Sequence, residues 1–215
     1  MIVTSRLLHT TVMHKYSITG LTDWSKNFPE ANGQHQSPIN LISDNAEYDP
    51  TLSERPLLIN YSTSRETDIL NDGQTVIVYP KYRGVVSGGP LVDGHQYELA
   101  EIRFHWGRLS TKGSEHKCNG KAFPMENYFK KNPELRDYWV YNGSMTYPPC
   151  YENVTWILFR YPLMLSSEQV DDFRHLKTYA KGDKPPVGHD GKLVDNFRPV
   201  QPLNDRIVRA SFQWM

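Results

Sequence analysis

A mainly β domain with little helix is expected from three features of this chain. Short runs of β-branched and aromatic residues recur along it, turn residues separate them, and one run alternates polar and apolar side chains. The first run, Thr75-Val76-Ile77-Val78-Tyr79, follows the turn Asn71-Asp72-Gly73 and stops at Pro80. Ser87-Gly88-Gly89-Pro90 and Asp93-Gly94 are turns. Glu101-Ile102-Arg103-Phe104-His105-Trp106 then alternates with period two. Positions 101, 103 and 105 therefore share one strand face, while Ile102, Phe104 and Trp106 turn toward a core. Val154 to Phe159 is the densest apolar stretch and reads as a buried strand. A single helix is expected after Ser166, which can cap it. Gln169 completes a capping box, and Val170, Phe173 and Leu176 form the apolar stripe. His175 on that helix has no ligand partner nearby in sequence and is expected at the surface. From Asn196 to Met215 the chain is Pro-rich, then extended.

The length of 215 residues suits one domain, or two small ones, and can bury a real core. With 24 basic against 24 acidic residues the formal charge is zero, which argues against nucleic acid or an anionic membrane as main partner. No apolar run is long enough to span a bilayer. Residues 1–20 are expected to be a disordered tail and residues 21–215 a single domain. Arg6, Lys15 and the break His9-Thr10-Thr11 fit neither a signal peptide nor a transit peptide, so a cytoplasmic location is the default. Three glycosylation sequons carry no weight without a secretion signal. Cys118 and Cys150 make neither a disulfide framework nor a CxxC pair.

Chemistry concentrates in Glu101-x-Arg103-x-His105 and Gly113-Ser114-Glu115-His116. A His-x-His on one strand face is a common way to aim two imidazoles at one zinc, with a third His and a water completing the tetrahedron. At these residues the chain resembles the α-carbonic anhydrases. The likeness extends through Asn32-Gly33-Gln34-His35-Gln36-Ser37-Pro38-Ile39-Asn40, Ser87-Gly88-Gly89-Pro90, Arg103-Phe104-His105-Trp106-Gly107 and Gly113-Ser114-Glu115-His116. It continues in Gly143-Ser144-Met145-Thr146-Tyr147-Pro148-Pro149 and Asn196-Phe197-Arg198-Pro199-Val200-Gln201-Pro202-Leu203. Lys121-Ala122-Phe123-Pro124-Met125-Glu126, Leu135 to Tyr141 and Glu152 to Pro162 are most similar to the acatalytic, cytosolic carbonic anhydrase-related branch of that family, branch VIII.

The resemblance implies a twisted central β-sheet with a few peripheral helices, and a chemistry in which zinc-bound hydroxide hydrates carbon dioxide. It also implies that this chain has lost the site. The first ligand position holds Arg103, the second keeps His105, and the third is deleted. After Glu126 the chain runs Asn127-Tyr128-Phe129-Lys130-Lys131-Asn132-Pro133-Glu134 and rejoins the family at Leu135, several dozen residues short. The missing part holds two inner strands and a helix by resemblance. The substitute stretch contains Pro133 and cannot replace an inner strand. A guanidinium stays protonated, and ~4 Å from a dication it adds repulsion of roughly 8 kcal/mol at an effective dielectric of 20. No catalytic residue and no cofactor are therefore expected, although active members use zinc. A substitute metal site built from Glu101, Glu115, His116 and Glu126 is the less favoured alternative.

Other positions are carried over as remnants. Glu115 and Thr146 match the pair that orients the zinc hydroxide, and their expected role without a metal is structural hydrogen bonding. The proton-shuttle position is Gln74, which cannot relay protons near neutral pH. Tyr147 replaces a small polar residue and is expected to narrow the pocket. Val154 and Trp156 match the apolar wall, although a plain core role explains them equally well. Glu101 is expected to pair with Arg103 where the zinc would sit. Cys150 lies where secreted relatives carry half a disulfide, but the partner position holds Ala31, in keeping with a reducing compartment.

The expected function is that of a pseudoenzyme binding another protein. By resemblance that partner is the inositol trisphosphate receptor, whose ligand affinity the branch lowers. The alternatives are a zinc-dependent carbonate dehydratase with other ligands, or a non-functional truncated product. A splice variant or an error of gene assembly would each give the deletion.

Overall fold

The structure is a computed structural model that describes residues 2–4, 24–60, 66–127 and 137–213, with backbone only at 2–4 and 127. Its strands, in chain order, begin with β1 (Ile2–Thr4), β2 (Asn40–Leu41), β3 (Glu47–Tyr48), β4 (Leu58–Asn60) and β5 (Thr67–Asn71). They continue with β6 (Val76–Pro80), β7 (Val85–Ser87), β8 (Tyr97–Glu98), β9 (Ile102–Trp106), β10 (Lys117–Cys118) and β11 (Met125–Asn127). The last are β12 (Tyr138–Gly143), β13 (Val154–Phe159) and β14 (Arg209–Ala210). Three α-helices are short: α1 (Trp24–Asn27), α2 (Pro50–Glu54) and α3 (Ser167–Arg174). The domain is mainly β, as its short β-branched runs require.

The five-stranded sheet has the order β1-β13-β12-β14-β3. Its centre is β12, where Trp139 and Tyr141 alternate with Tyr138 and Val140. The first pair packs with Ile39, Leu41, Trp156 and Phe212, and the second with Leu52, Val86, Leu91 and Ile157. Apolar layers cover both faces, so β12 and β13 read as mostly apolar runs instead of alternating ones.

The four-stranded sheet, β11-β9-β6-β5, carries the Glu101–Trp106 run on β9. Trp106 is fully buried with Val76 and Leu193, and Phe173 of α3 sits 5.1 Å from its ring. The alternation thus sends Phe104 and Trp106 into core. Helix α3 has the expected capping box between Ser166 and Gln169, with Val170 buried and His175 exposed.

In place of one continuous sheet, the described strands form sheets of five, four, three and two. Among the described residues a short strand lies at one edge of each of the two larger sheets. Three residues of β11 pair with β9, and the three of β1 pair with β13. A cavity of about 370 Å³ is bounded by Met125 and Glu126 of β11 and by Ile157 to Phe159 of β13.

The tail expected over residues 1–20 differs at its start. Ile2–Thr4 is a strand, because an edge of β13 offers its backbone groups a partner. Residues 5–23 lie outside the described residues, as do Tyr128 to Glu134 of the substitute stretch.

Candidate functional site

Strand β9 delivers Arg103 and His105 to a pocket of only about 40 Å³, also lined by Gln74, Glu115, Thr146 and Tyr147. Arg103 is one of the side chains that form its wall. Its Nε donates to Glu101 Oε1 at 2.5 Å, and its Cζ lies 4.2 Å from the centroid of the Tyr147 ring. The two charged side chains are 15% and 26% exposed, so the pair is largely removed from water. Tyr79 and Tyr147 stand near the Glu101 carboxylate, whose negative charge adds to the rise that burial gives both hydroxyls. Burial opposes the charge on Arg103, but Tyr147 and Glu101 outweigh it and hold its pKa above the ordinary value. Burial pushes the Tyr147 hydroxyl up to about 12, with Arg103 opposing and Glu101 adding to the rise. It is a neutral donor at physiological pH. This is the pairing expected of Glu101, and Tyr147 does restrict the pocket.

His105 is held by groups that the sequence reading passed over. Its Nδ1 lies 2.7 Å from the carbonyl oxygen of Asn196, which can only accept, so the Nδ1 proton is fixed there and the Nε2 lone pair is left on the other side of the ring. Asn196 Oδ1 accepts from the backbone N–H of Trp106, and its Nδ2 donates to the carbonyls of Gln74 and Phe104. Glu115, 2% exposed, accepts from the backbone N–H of Arg198 at 2.9 Å and stands 3.5 Å from His105 Nδ1. Thr146 departs from its expected structural bonding: its buried Oγ1 has no hydrogen-bond partner among the described residues. Asn196 and Arg198 were within the matched motif Asn196 to Leu203, but nothing local in that Pro-rich stretch marks either as a neighbour of β9.

A second polar group lies beside this one. His116 Nδ1 donates to Glu126 Oε1 at 2.8 Å and its backbone N–H donates to Oε2. With that proton on Nδ1, Nε2 accepts from the Tyr141 hydroxyl at 2.7 Å, and Tyr141 in turn accepts from Ser37 Oγ at 2.8 Å. Gly143 allows the close approach, since a Cβ there would collide with the Ser37 hydroxyl. Burial raises the Glu126 pKa, but His116 outweighs it and the carboxyl stands below its usual value. A lowered carboxylate pKa contributes stability that is present above about pH 4.5 and is lost as pH falls through the native value. The unfolding midpoint is therefore expected to fall as pH drops below about 4.5, and more steeply than in Glu126→Gln, at roughly 1.4 kcal/mol per unit of lowering. Thermal melts across that range would show equal slopes if Glu126 were not ionised in the fold.

Val154 and Trp156 do not line the Arg103 pocket. Both are fully buried in the five-stranded sheet, where Trp156 stacks on Tyr141 at an interplanar angle of 7° and donates from Nε1 to the Ser144 carbonyl. Their alternation on β13 turns them to the layer of Ile39 and Leu41, so the core role holds and the pocket-wall role does not.

The donors here do not fit a tetrahedral zinc. His105 offers one lone pair, Arg103 offers none, and His116 and Glu126 are engaged with each other. No cluster of three or more His, Cys, Asp or Glu among the described residues could hold a metal ion.

Comparison with known proteins places this geometry in context. A family model described as eukaryotic-type carbonic anhydrase matches residues 19–132 and again 127–212. The two matches meet at 127–132, where the sequence leaves the family pattern. The carbonic anhydrase-related protein of Homo sapiens is 43% identical over 250 positions, which cover 86% of this chain and 86% of that protein. The carbonic anhydrase-related protein of Rattus norvegicus is 42% identical with the same coverage. Carbonic anhydrase 7 of Mus musculus is 34% identical, across 90% of this chain and 95% of its own length. A 250-position alignment exceeds the 215 residues of the chain, so gaps fall on this side.

Proposed function

The chain belongs to the eukaryotic-type carbonic anhydrase family, and from that premise we propose that it is a metal-independent, acatalytic member that acts by binding another protein. The observation that carries this reading is Arg103, a protonated guanidinium paired with Glu101 and stacked on Tyr147 where active relatives begin their zinc site. A zinc hydroxide needs three protein ligands and an open fourth position. A guanidinium at the first position removes a ligand and adds a like charge, and the remaining space of about 40 Å³ is close to that of a water or two.

The partner implied by the family branch is the inositol trisphosphate receptor, with a cytoplasmic site of action. Two free cysteines, Cys118 and Cys150, suit a reducing compartment. Among the described residues no helix is long and apolar enough to cross a membrane.

Calorimetry of the purified chain with zinc and with a strong chelator tests the metal-free reading. A site occupied at a hundredfold excess over its Kd adds ~2.7 kcal/mol to stability, a shift of about 5–10 °C for a chain of this size. One cooperative transition at the same temperature in both conditions is expected. A zinc-dependent rise would favour the dehydratase, and no transition would favour a non-functional product. For the partner, the receptor's affinity for inositol trisphosphate should fall when this chain is added; unchanged affinity at micromolar chain would remove the receptor as its target.

A further inference from the structure

We propose that the cavity between β11 and β13 is a binding site for a free, straight-chain fatty carboxylate of about ten carbons. Its volume of about 370 Å³ falls within the roughly 300–1,000 Å³ of small-molecule sites. At about 30 Å³ per non-hydrogen atom, the share a water takes in the liquid, it accepts about a dozen such atoms, as many as decanoate has. The walls come from all three apolar clusters. Leu41 and Leu158 belong to the layer around Trp156, Ile157 and Phe159 to the layer around Val140, and Met125 to the cluster around Trp106. The run Tyr161-Pro162-Leu163-Met164-Leu165 forms the lip, and all five residues are exposed, Met164 at 94%. A contiguous apolar run left in water beside an apolar cavity marks a binding surface, and an alkyl chain lying across it would cover both.

Charge selects the head group. Among the described lining residues the acids and bases are Glu126, Lys117 and Arg160, beside the imidazole of His116. Glu126 is satisfied within the wall, since both of its oxygens accept from His116. Arg160 donates to Asp137 at 2.9 Å and lies 4.4 Å from the centroid of the Phe212 ring. Lys117 has no acidic partner among the described residues. The uncompensated charge of this site is therefore positive and belongs to Lys117, which favours a carboxylate over an alcohol and disfavours a cation. Cys118, the next residue, also lines the cavity and is partly buried, whereas Cys150 is fully buried outside it. A ligand in the cavity shields the Cys118 thiol.

Titration calorimetry and thiol labelling of the full chain test the site with decanoate, octanoate, decanol and decyltrimethylammonium, each below its micelle-forming concentration. Decanoate should bind and slow the labelling of Cys118. Octanoate should bind about tenfold more weakly, because two methylenes are lost from an apolar wall, a comparison that needs no variant. Decanol should bind about fivefold more weakly than decanoate, and the ammonium more weakly still. Lys117→Gln should weaken decanoate by about the same fivefold and leave decanol unchanged. Leu163→Asp/Leu165→Asp alters only exposed positions of the lip and should weaken both ligands at least about tenfold. Vesicles of phosphatidylserine and phosphatidylcholine should leave Cys118 reactive; protection by them would put a membrane surface in place of the free ligand and overturn the proposal. It is also overturned if decanoate does not bind, if decanol or the ammonium binds as tightly, or if Cys118 stays equally reactive with decanoate bound. Unchanged decanoate affinity in either variant overturns it as well.

Discussion

Glu101→Ala is expected to lower the midpoint of thermal unfolding by about 6–12 °C. Arg103 is 85% removed from solvent as a side chain and leans on one carboxylate, that of Glu101. Removing one partner of a fully buried pair costs about 3–5 kcal/mol, because the charge left behind has lost its counter-ion without regaining water. The residual exposure of Glu101 places this pair at the lower end, near 3 kcal/mol, and each kcal/mol moves the midpoint of a chain this size by about 2–4 °C. Glu101→Gln keeps an acceptor for the guanidinium and should fall between the two. The double variant Glu101→Leu/Arg103→Met removes both charges with similar volume and is expected to melt within about 1.5 kcal/mol of the parent. Calorimetry on the four proteins decides the matter. Should Glu101→Ala melt where the parent does, the pair does not hold this centre, and the pocket must be organised by His105 and Asn196 instead.

Trp156→Ala is expected to be costlier still, about 4–5 kcal/mol, or a midpoint more than about 10 °C lower. Its ring is fully buried, stacks on Tyr141 and meets the edge of His116 at 4.4 Å. Alanine leaves a cavity that β12 and β13 cannot close, and it strips the Ser144 carbonyl of the indole donor. Trp156→Phe should recover more than half of the loss, since the ring is restored and only the donor is missing. Chemical denaturation gives the comparison, and an alanine variant within about 1 kcal/mol of the parent would mean that the five-stranded sheet tolerates a void at its centre. The effect also separates the two roles once open to this residue. A pocket-wall tryptophan facing solvent would cost little to truncate, whereas a core one costs most of what a tryptophan can.

Much of the site was legible along the chain. Period two put Glu101, Arg103 and His105 on one strand face, and charge complementarity then paired the first two. Helix α3 followed from Ser166, Gln169 and its apolar stripe, because capping is a contact over three residues. The break after Glu126 was visible as a departure from a family pattern, and the two family matches meet there. These features depend on neighbours in sequence or on motif order, so the linear text contains them.

The rest depends on residues far apart. Asn196 fixes the proton of His105 from 91 positions away, and Arg198 reaches Glu115 across 83. Tyr79 meets Glu101 only because β6 pairs with β9, and the pairing register is set by which faces must be buried. Val154 and Trp156 carried two readings in sequence, and the layer of Ile39 and Leu41 chose the core for them. The strand at Ile2–Thr4 is the clearest case. Nothing in three residues this short specifies a ladder; the backbone groups of β13, about 150 residues on, do so because a sheet edge satisfies its hydrogen bonds with whatever extended segment reaches it. Local chemistry lies in the order of the residues, whereas partners across a sheet exist only once the chain has closed on itself.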